Sequence, residues 1–183
     1  MSKGQYTEEE IRRAIEQGPI TDEYKADPER IISELNRMRS TEIASYLQYK
    51  QHAYMAVSLL SPGLKAEFDA HATIELQHAD TLGDRIQQLG GVPVFSPTEI
   101  AQKAAEEGVR VEQGATLTEM VVENLMLERR QVAIYTALIR QIGDNDPTTR
   151  NILAGILAVT EKHASELADY LKRTSEMRKQ SAR

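Results

Sequence analysis

The sequence predicts an all-α four-helix bundle in which one long crossover contains a short helix. Three observations support this fold class. Helix-forming residues such as Ala, Leu, Glu, Gln and Arg are abundant, and strand formers are sparse. Four long segments repeat apolar residues in alternating steps of three and four. Their connections are short, long and short in turn, which is the pattern of a bundle with a single crossover.

The N-terminal half is predicted from its start and stop signals. A short helix is expected over 7–18, because this segment opens on a Thr-x-x-Glu capping box and closes on glycine. After a loop, Pro28 at the first helical position opens a long helix that is expected to run to about Leu60. The Ser-Pro-Gly sequence at 61–63 leaves room only for a tight connection. The second long helix, about 63–89, therefore folds back antiparallel to the first.

The connection over 90–116 differs from the other two in length. It begins with an extended stretch, and a Ser-Pro-x-Glu sequence then predicts a short helix over 96–107. A long helix of about 27 residues spans about 40 Å, and a connection of about 26 residues can cover that distance. We therefore expect an end-to-end crossover.

The C-terminal half contains the other two long helices. The third is predicted from the capping box at 116–119 to Gly143, and the fourth from Pro147 to about Lys172. The Gly-Asn/Asp-rich turn between them is tight, so they also pack antiparallel. The predicted organisation is an N-terminal extension with a short helix, a bundle, and a polar frayed tail, over residues 1–27, 28–172 and 173–183.

Composition limits the classes of function. The formal charge of −6 argues against a surface that generally coats nucleic acid. No run approaches 18 apolar residues, so no membrane partner is expected. Residues 1–20 carry charges throughout, which argues against a secretory signal. The absence of cysteine fits a reducing compartment, and a cytoplasmic location is expected.

Polar residues interrupt the apolar stripe of each long helix near its middle. They are Glu42, Glu75 with His78, Glu128 and His163. Glu42 precedes the first tight turn and Glu75 follows it, at distances along their helices that differ by only about 7 Å. Glu128 and His163 flank the second tight turn in the same way, and their distances from it differ by about 2 Å. The five side chains should therefore meet near the middle of the bundle.

Three carboxylates buried in one place need compensation, because like charges repel in a low dielectric and each loses its hydration. A pair of divalent cations supplies it, with Glu oxygens and His nitrogens as ligands. Residues three apart share a helix face, so the Glu-x-x-His spacing suits such a site. The alternative interpretation is a set of buried salt bridges to Arg or Lys. The predicted metal ligands are Glu42, Glu75, His78, Glu128 and His163.

Other polar residues lie near this predicted site. Tyr49 is open to two interpretations, a plain core residue or a hydrogen-bond partner of a ligand. His52 and His71 are interpreted as satisfied polar residues near the end of the site rather than as ligands. A second Glu-x-x-His would need glutamate at Thr160, and Glu161 points about 100° away from that face.

The segments that carry these residues resemble the bacterioferritin and Dps-like branch of the ferritin superfamily. They are TEIASYLQYKQHAYM, IELQHAD, LMLERR and TEKHASEL, and the likeness covers roughly residues 30–172. The resemblance implies a ferritin-like four-helix bundle with a di-iron site. It also implies individual roles: terminal ligands Glu42 and His78, bridging ligand Glu75, further ligands Glu128 and His163, and the catalytic-site tyrosine Tyr49.

The sequence departs from the bacterioferritin pattern in three ways. Thr160 replaces the second bridging glutamate, so one metal position is expected to be weaker, asymmetric or filled by solvent. Leu76 replaces the methionine that ligates haem in bacterioferritin, so no haem is predicted. The short crossover helix and short polar tail resemble twelve-subunit Dps cages more than twenty-four-subunit ferritin cages.

These features predict a ferroxidase that binds two Fe(II) per subunit. Hydrogen peroxide or dioxygen would oxidise the iron, and a hollow homo-oligomer would store the ferric mineral and protect against oxidative stress. One alternative is a Dps-type DNA-compacting protein, which the net charge of −6 opposes. The other is a di-manganese or di-iron oxidase without storage. The support for DNA binding is a set of basic residues near the C-terminus, Lys172, Arg173, Arg178, Lys179 and Arg183.

Overall fold

The computed structural model describes residues 6–58 and 61–181, without the side chains of 57–58 and 177–181. Within these residues the chain forms helices and no strands, which confirms the predicted all-α class. The predicted end of the first long helix at Leu60 lies outside the described residues. None of the described helices has the length and apolar content that a membrane span requires. The helices are α1 Glu8–Gln17, α2 Pro28–Ser58, α3 Pro62–Gln88, α4 Pro97–Glu106, α5 Leu117–Ile142 and α6 Pro147–Ser181.

Local capping fixes several of these boundaries within a residue of the prediction. The Thr116 hydroxyl accepts from the Glu119 backbone N–H, and the Glu119 carboxylate accepts from the Thr116 N–H at 3.0 Å. This reciprocal pair starts α5. The helix ends where Gly143 adopts a positive φ of 56° and its N–H bonds the Ile139 carbonyl.

The four long helices form the bundle, and α4 packs against α2 from within the crossover. Helix α2 packs mainly on α3, and α5 mainly on α6. Two apolar clusters fill the two ends of the bundle. The first contains Tyr49, Phe68, Met120, Val121 and Leu167, and the second contains Leu35, Leu82, Ile86, Tyr135 and Leu153. The middle of the bundle, between these clusters, is therefore the polar part of the core.

A buried ion pair fixes the start of α6 against α3. Asp146 is 1% exposed and accepts from Arg85 Nη2 at 3.0 and 3.1 Å and from the Thr149 N–H at 2.9 Å. The Tyr24 hydroxyl donates to the same carboxylate at 2.8 Å. Because these bonds join three parts of the chain, they set the height at which α6 passes α3.

The fourth long helix is longer than predicted. It continues to Ser181, so the prediction of its end near Lys172 is wrong, and the predicted frayed tail is helical through 181. The Thr174 hydroxyl bonds the Tyr170 carbonyl one turn earlier, as it does in a continuing helix. Residues 173–181 contain no glycine or proline, and Glu, Met, Arg, Lys and Gln all favour helix.

Candidate metal centre

The five predicted ligands meet in the interior of the bundle, one or two from each long helix. Glu42 from α2, Glu75 from α3 and Glu128 from α5 are 0% exposed. His163 from α6 is 1% exposed, and His78 from α3 is 8% exposed. They converge because their stripes face inward and because the two tight turns place them at similar depth.

A first group of three potential ligands consists of Glu42, Glu75 and His78. One ligand atom from each lies within 4.8 Å of the other two. His78 Nδ1 is 3.3 Å from Glu42 Oε2. The other oxygen of Glu42 accepts from the Tyr135 hydroxyl at 2.5 Å and from Gln131 Nε2 at 2.9 Å. These two bonds hold the Glu42 carboxylate with Oε2 towards the group.

A second group consists of His71, Glu128 and His163, whose ligand atoms also lie within 4.8 Å of one another. His163 Nδ1 is 3.3 Å from Glu128 Oε1, and the Tyr49 hydroxyl donates to the same oxygen at 2.5 Å. Tyr49 is therefore a hydrogen-bond partner of a potential ligand, which decides between its two interpretations. The orientation of Glu128 depends on this bond.

Glu75 connects the two groups. It belongs to the first, and its Oε1 lies 3.2 Å from His163 Nδ1 of the second. A carboxylate that adjoins both groups is placed to bridge two cations.

Several buried polar atoms of the two groups lack hydrogen-bond partners within the described part of the chain. The contacts of His163 to two carboxylates are close but do not have hydrogen-bond geometry. Each such atom costs about 1–3 kcal/mol when it is left unsatisfied. Because all these atoms are metal-ligand types, the residues fit divalent cations. The atoms are both oxygens of Glu75, Oε2 of Glu128, both ring nitrogens of His163 and Nδ1 of His71.

The electrostatics of the cluster agree with a need for positive charge. Burial raises the pKa of Glu75 well above its ordinary value, and the neighbouring Glu128 and Glu42 raise it further. Burial also raises the pKa of Glu128. Among the described residues, no Lys or Arg pairs with Glu42, Glu75 or Glu128, which argues against the salt-bridge alternative.

Both tyrosines of the site are hydrogen-bond donors. Burial raises the pKa of Tyr49 well above its ordinary value, and Glu128 raises it further. Burial and Glu42 have the same effect on the pKa of Tyr135. Each hydroxyl therefore stays protonated and donates a hydrogen bond to a carboxylate.

Some residues near the site differ from their predicted roles. His71 was expected to be a satisfied polar residue, but its Nδ1 is buried without a partner among the described residues and belongs to the second group. Its place on the stripe one turn before Glu75 was the available signal. His52 matches its prediction, because its ring nitrogens lie 3.0 Å from Asn124 Oδ1 and 2.9 Å from a backbone carbonyl.

Sequence reasoning also missed the partners of Glu42, which are Gln131 and Tyr135 on α5. Tyr135 lies on the α5 stripe two helical turns after Glu128. That position indicated that the Tyr135 side chain faces the bundle interior, but it did not indicate which carboxylate its hydroxyl would contact. Thr160 is buried, and its hydroxyl donates to the Ile156 carbonyl at 3.1 Å.

The antiparallel bundle, its single crossover and its buried carboxylate–histidine cluster define a ferritin-like protein. The family model for the ferritin-like domain matches residues 32–177, and the chain belongs to this family. It is 30% identical over 143 residues to a nutrient stress-induced DNA-binding protein of Synechococcus sp., covering 75% of this chain and 78% of that protein. It is 32% identical over 146 residues to the bacterial ferritin of Pseudomonas aeruginosa, covering 77% and 86%.

Solved structures with this fold include the bacterioferritin-related protein of Bacteroides fragilis, described as a dodecameric thioferritin. It superposes with a TM-score of 0.79 at 29% identity, covering 85% of this chain and 92% of that one. A bacterioferritin of Mycobacterium tuberculosis superposes with a TM-score of 0.70 at 24% identity, covering 83% and 89%. The second likeness concerns the fold alone.

Proposed function

We propose that the protein is a ferroxidase that oxidises Fe(II) at a two-metal site within each subunit. The single observation that carries this proposal is the pair of adjoining ligand groups that meet at Glu75, buried and with unpaired ligand atoms among the described residues. The residues proposed as the metal ligands are Glu42, Glu75, His78, Glu128 and His163. Membership of the ferritin-like family supports iron as the metal.

The hydrogen bonds of the site support distinct roles for its residues. Glu42 and Glu128 would each hold one Fe(II), and each is oriented by a tyrosine hydroxyl at 2.5 Å. Glu75 would bridge the two ions, because it adjoins both groups and neither of its buried oxygens has a hydrogen-bond partner among the described residues. Tyr49 and Tyr135 keep both carboxylates in position when iron enters or leaves.

The reaction moves electrons from iron to an oxidant. Two Fe(II) ions each lose one electron, and hydrogen peroxide takes up both with two protons to leave two water molecules. Dioxygen that takes the same electrons and protons leaves hydrogen peroxide. Carboxylate oxygens are hard ligands that favour Fe(III) over Fe(II), so three glutamates in the site promote the oxidation.

Storage requires a hollow assembly, and we propose a homo-oligomer of twelve subunits in the cytoplasm. The dodecameric relative from Bacteroides fragilis, at 29% identity, supports this size over a larger cage. In such an oligomer the ferric product would collect as mineral, and the joint removal of Fe(II) and peroxide is the proposed protection against oxidative stress. No haem is proposed, because Leu76 stands at the expected ligand position.

Iron oxidation by metal-stripped protein tests the proposal. We expect Fe(II) addition to give ferric absorbance at two ions per subunit, with peroxide and dioxygen compared as oxidants. Glu128→Gln should slow the initial rate about 100-fold, because it removes a charged ligand. Glu161→Gln is the matched control, because Glu161 is an exposed residue of α6.

The proposal is wrong if Glu128→Gln oxidises iron at the rate of the unsubstituted protein. Storage is tested separately by size-exclusion chromatography, in which mineral absorbance should elute with the oligomer. Oxidation without retained mineral would instead favour the alternative of a di-manganese or di-iron oxidase, and Mn(II) titrations would then identify the preferred metal.

DNA binding is a second candidate function, because the Synechococcus relative is a DNA-binding protein by name. The basic residues Lys172 and Arg173 lie in the C-terminal part of α6 and are part of the proposed contact. A gel shift at low salt that weakens as salt rises would support it. No shift at low salt would remove this function and leave the ferroxidase proposal unchanged.

A further inference from the structure

The two ligand groups receive different numbers of ligand-type residues from helices α3 and α6. Helix α3 supplies Glu75 and His78 three residues apart, and both are ligand types. Helix α6 has the same spacing at Thr160 and His163, but the Thr160 hydroxyl is engaged by the Ile156 carbonyl of its own helix. The second group therefore lacks the carboxylate that would match Glu75.

His71 is a further potential ligand in this second group. It lies one turn before Glu75 on α3 and is 4% exposed. Its ring stacks on His163 with 3.9 Å between centroids and contacts the edge of Tyr49 at 5.2 Å. Its Nδ1 is buried and has no hydrogen-bond partner within the described part of the chain. A buried imidazole nitrogen without a partner, beside two potential ligands, is placed as a ligand itself.

The opposite nitrogen of His71 faces a carboxylate. Its Nε2 lies 3.4 Å from Glu166 Oε2, and Lys162 Nζ lies 3.4 Å from the other Glu166 oxygen. Histidine ligands of metals characteristically donate their second N–H to a carboxylate, which fixes the tautomer and the ring orientation. With the proton on Nε2, the lone pair of His71 is on Nδ1, the atom that lacks a partner.

We propose that His71 is the third protein ligand of the cation held by Glu128 and His163, with Glu166 as its positioning residue. This inference rests on the proposed two-metal function. The second position then has two nitrogens and one carboxylate of its own, whereas the first has one nitrogen and two carboxylates. Because the His71 and His163 rings are 13° from parallel, one of them must turn about its Cβ–Cγ bond for both to bind one ion.

Zn(II) titration of metal-stripped protein tests this ligand without any redox step. The unsubstituted protein should bind two ions per subunit. His71→Ala should weaken the second ion about 100-fold, and Glu166→Gln should weaken it about 10-fold. The exposed Glu161→Gln is the control for Glu166→Gln and should change neither affinity. Unchanged affinity for both ions in His71→Ala overturns the inference.

Placing a carboxylate at residue 160 tests whether binding of the second ion can be rescued. His71→Ala combined with Thr160→Glu should regain the second ion, because residue 160 is spaced from His163 as Glu75 is from His78. A crystal structure of the unsubstituted protein with Zn(II) provides evidence that needs no variant. His71 Nδ1 at about 2.1 Å from zinc supports the inference, and an unbound, stacked His71 overturns it.

The outcomes separate this inference from the proposed function. Protein that binds two Zn(II) through His71 but does not oxidise Fe(II) retains the inference and loses the ferroxidase proposal. Protein that oxidises Fe(II) while His71→Ala leaves both Zn(II) affinities unchanged retains the ferroxidase proposal and loses the inference.

Discussion

Glu75→Leu is expected to abolish binding of both cations and, at the same time, to make the metal-stripped protein more stable. Both oxygens of Glu75 are buried without hydrogen-bond partners within the described residues. Leucine has a similar volume and no polar atoms to satisfy. The free energy of unfolding in chelator should therefore rise by about 1–3 kcal/mol. Affinity for each cation should fall more than about 100-fold, because the bridging ligand is lost.

Glu42→Leu is the matched comparison, because it removes another buried carboxylate of the same site. Its Oε1 accepts bonds from Tyr135 and Gln131, and leucine would leave both donors unpaired. This variant should also lose cations, but its metal-stripped form should be destabilised by about 1–3 kcal/mol. Urea denaturation in chelator measures both changes. Equal destabilisation by the two substitutions would show that Glu75 has a structural partner and would contradict the predicted gain in stability.

Local signals in the sequence explain why the fold was predictable. The boundaries of α1 and α5 depend on capping boxes and terminal glycines, which act over a few residues. The convergence of the five ligands also follows from simple geometry. The apolar stripe gives the face of the helix on which a residue lies, and its distance from the tight turn gives its position along the helix axis. The long extension of α6 had a readable signal too, since no helix breaker lies between 173 and 181.

The details of the site depended on relations between helices, which a single helix does not encode. The stripe of α3 placed His71 on the inward face, but its stacking on His163 depends on the relative rotation and height of α3 and α6. The same is true of Tyr135, whose hydroxyl crosses to Glu42 on another helix. Side-chain pairs of this kind require the packed structure, because small axial shifts change which atoms meet.

Metal-stripped and metal-loaded protein are expected to respond to pH in opposite directions as pH rises through the raised pKa of Glu75. Burial raises the pKa of Glu75 well above its ordinary value of 4.5 and also raises that of Glu128. The folded stripped protein then binds more protons than the unfolded chain. Its free energy of unfolding should fall as pH rises, by up to about 1.4 kcal/mol per pH unit for each such proton.

The histidines set the lower limit of this window. Burial and His163 lower the pKa of His71 from 6.5 to about 4, and burial also lowers the pKa of His52. Between pH 4 and 6.5 the unfolded histidines bind more protons than the folded ones, so they add stability as pH rises and oppose the glutamates. This opposing contribution fades as pH rises past 6.5, the ordinary pKa of the unfolded histidines. Thermal unfolding midpoints measured in chelator should therefore decline as pH rises through the raised pKa of Glu75.

Metal reverses the sign because cations and protons compete for the same carboxylate oxygens and imidazole nitrogens. As pH rises, Glu75 loses its proton more readily, and Zn(II) affinity increases. Tighter binding to the folded state alone raises its stability, so the unfolding midpoint at fixed Zn(II) should increase over the same window. Glu75→Leu should flatten the decline of the stripped protein, since Glu75 is its main source. Parallel slopes with and without Zn(II) would show that the buried carboxylates are not where the cation binds.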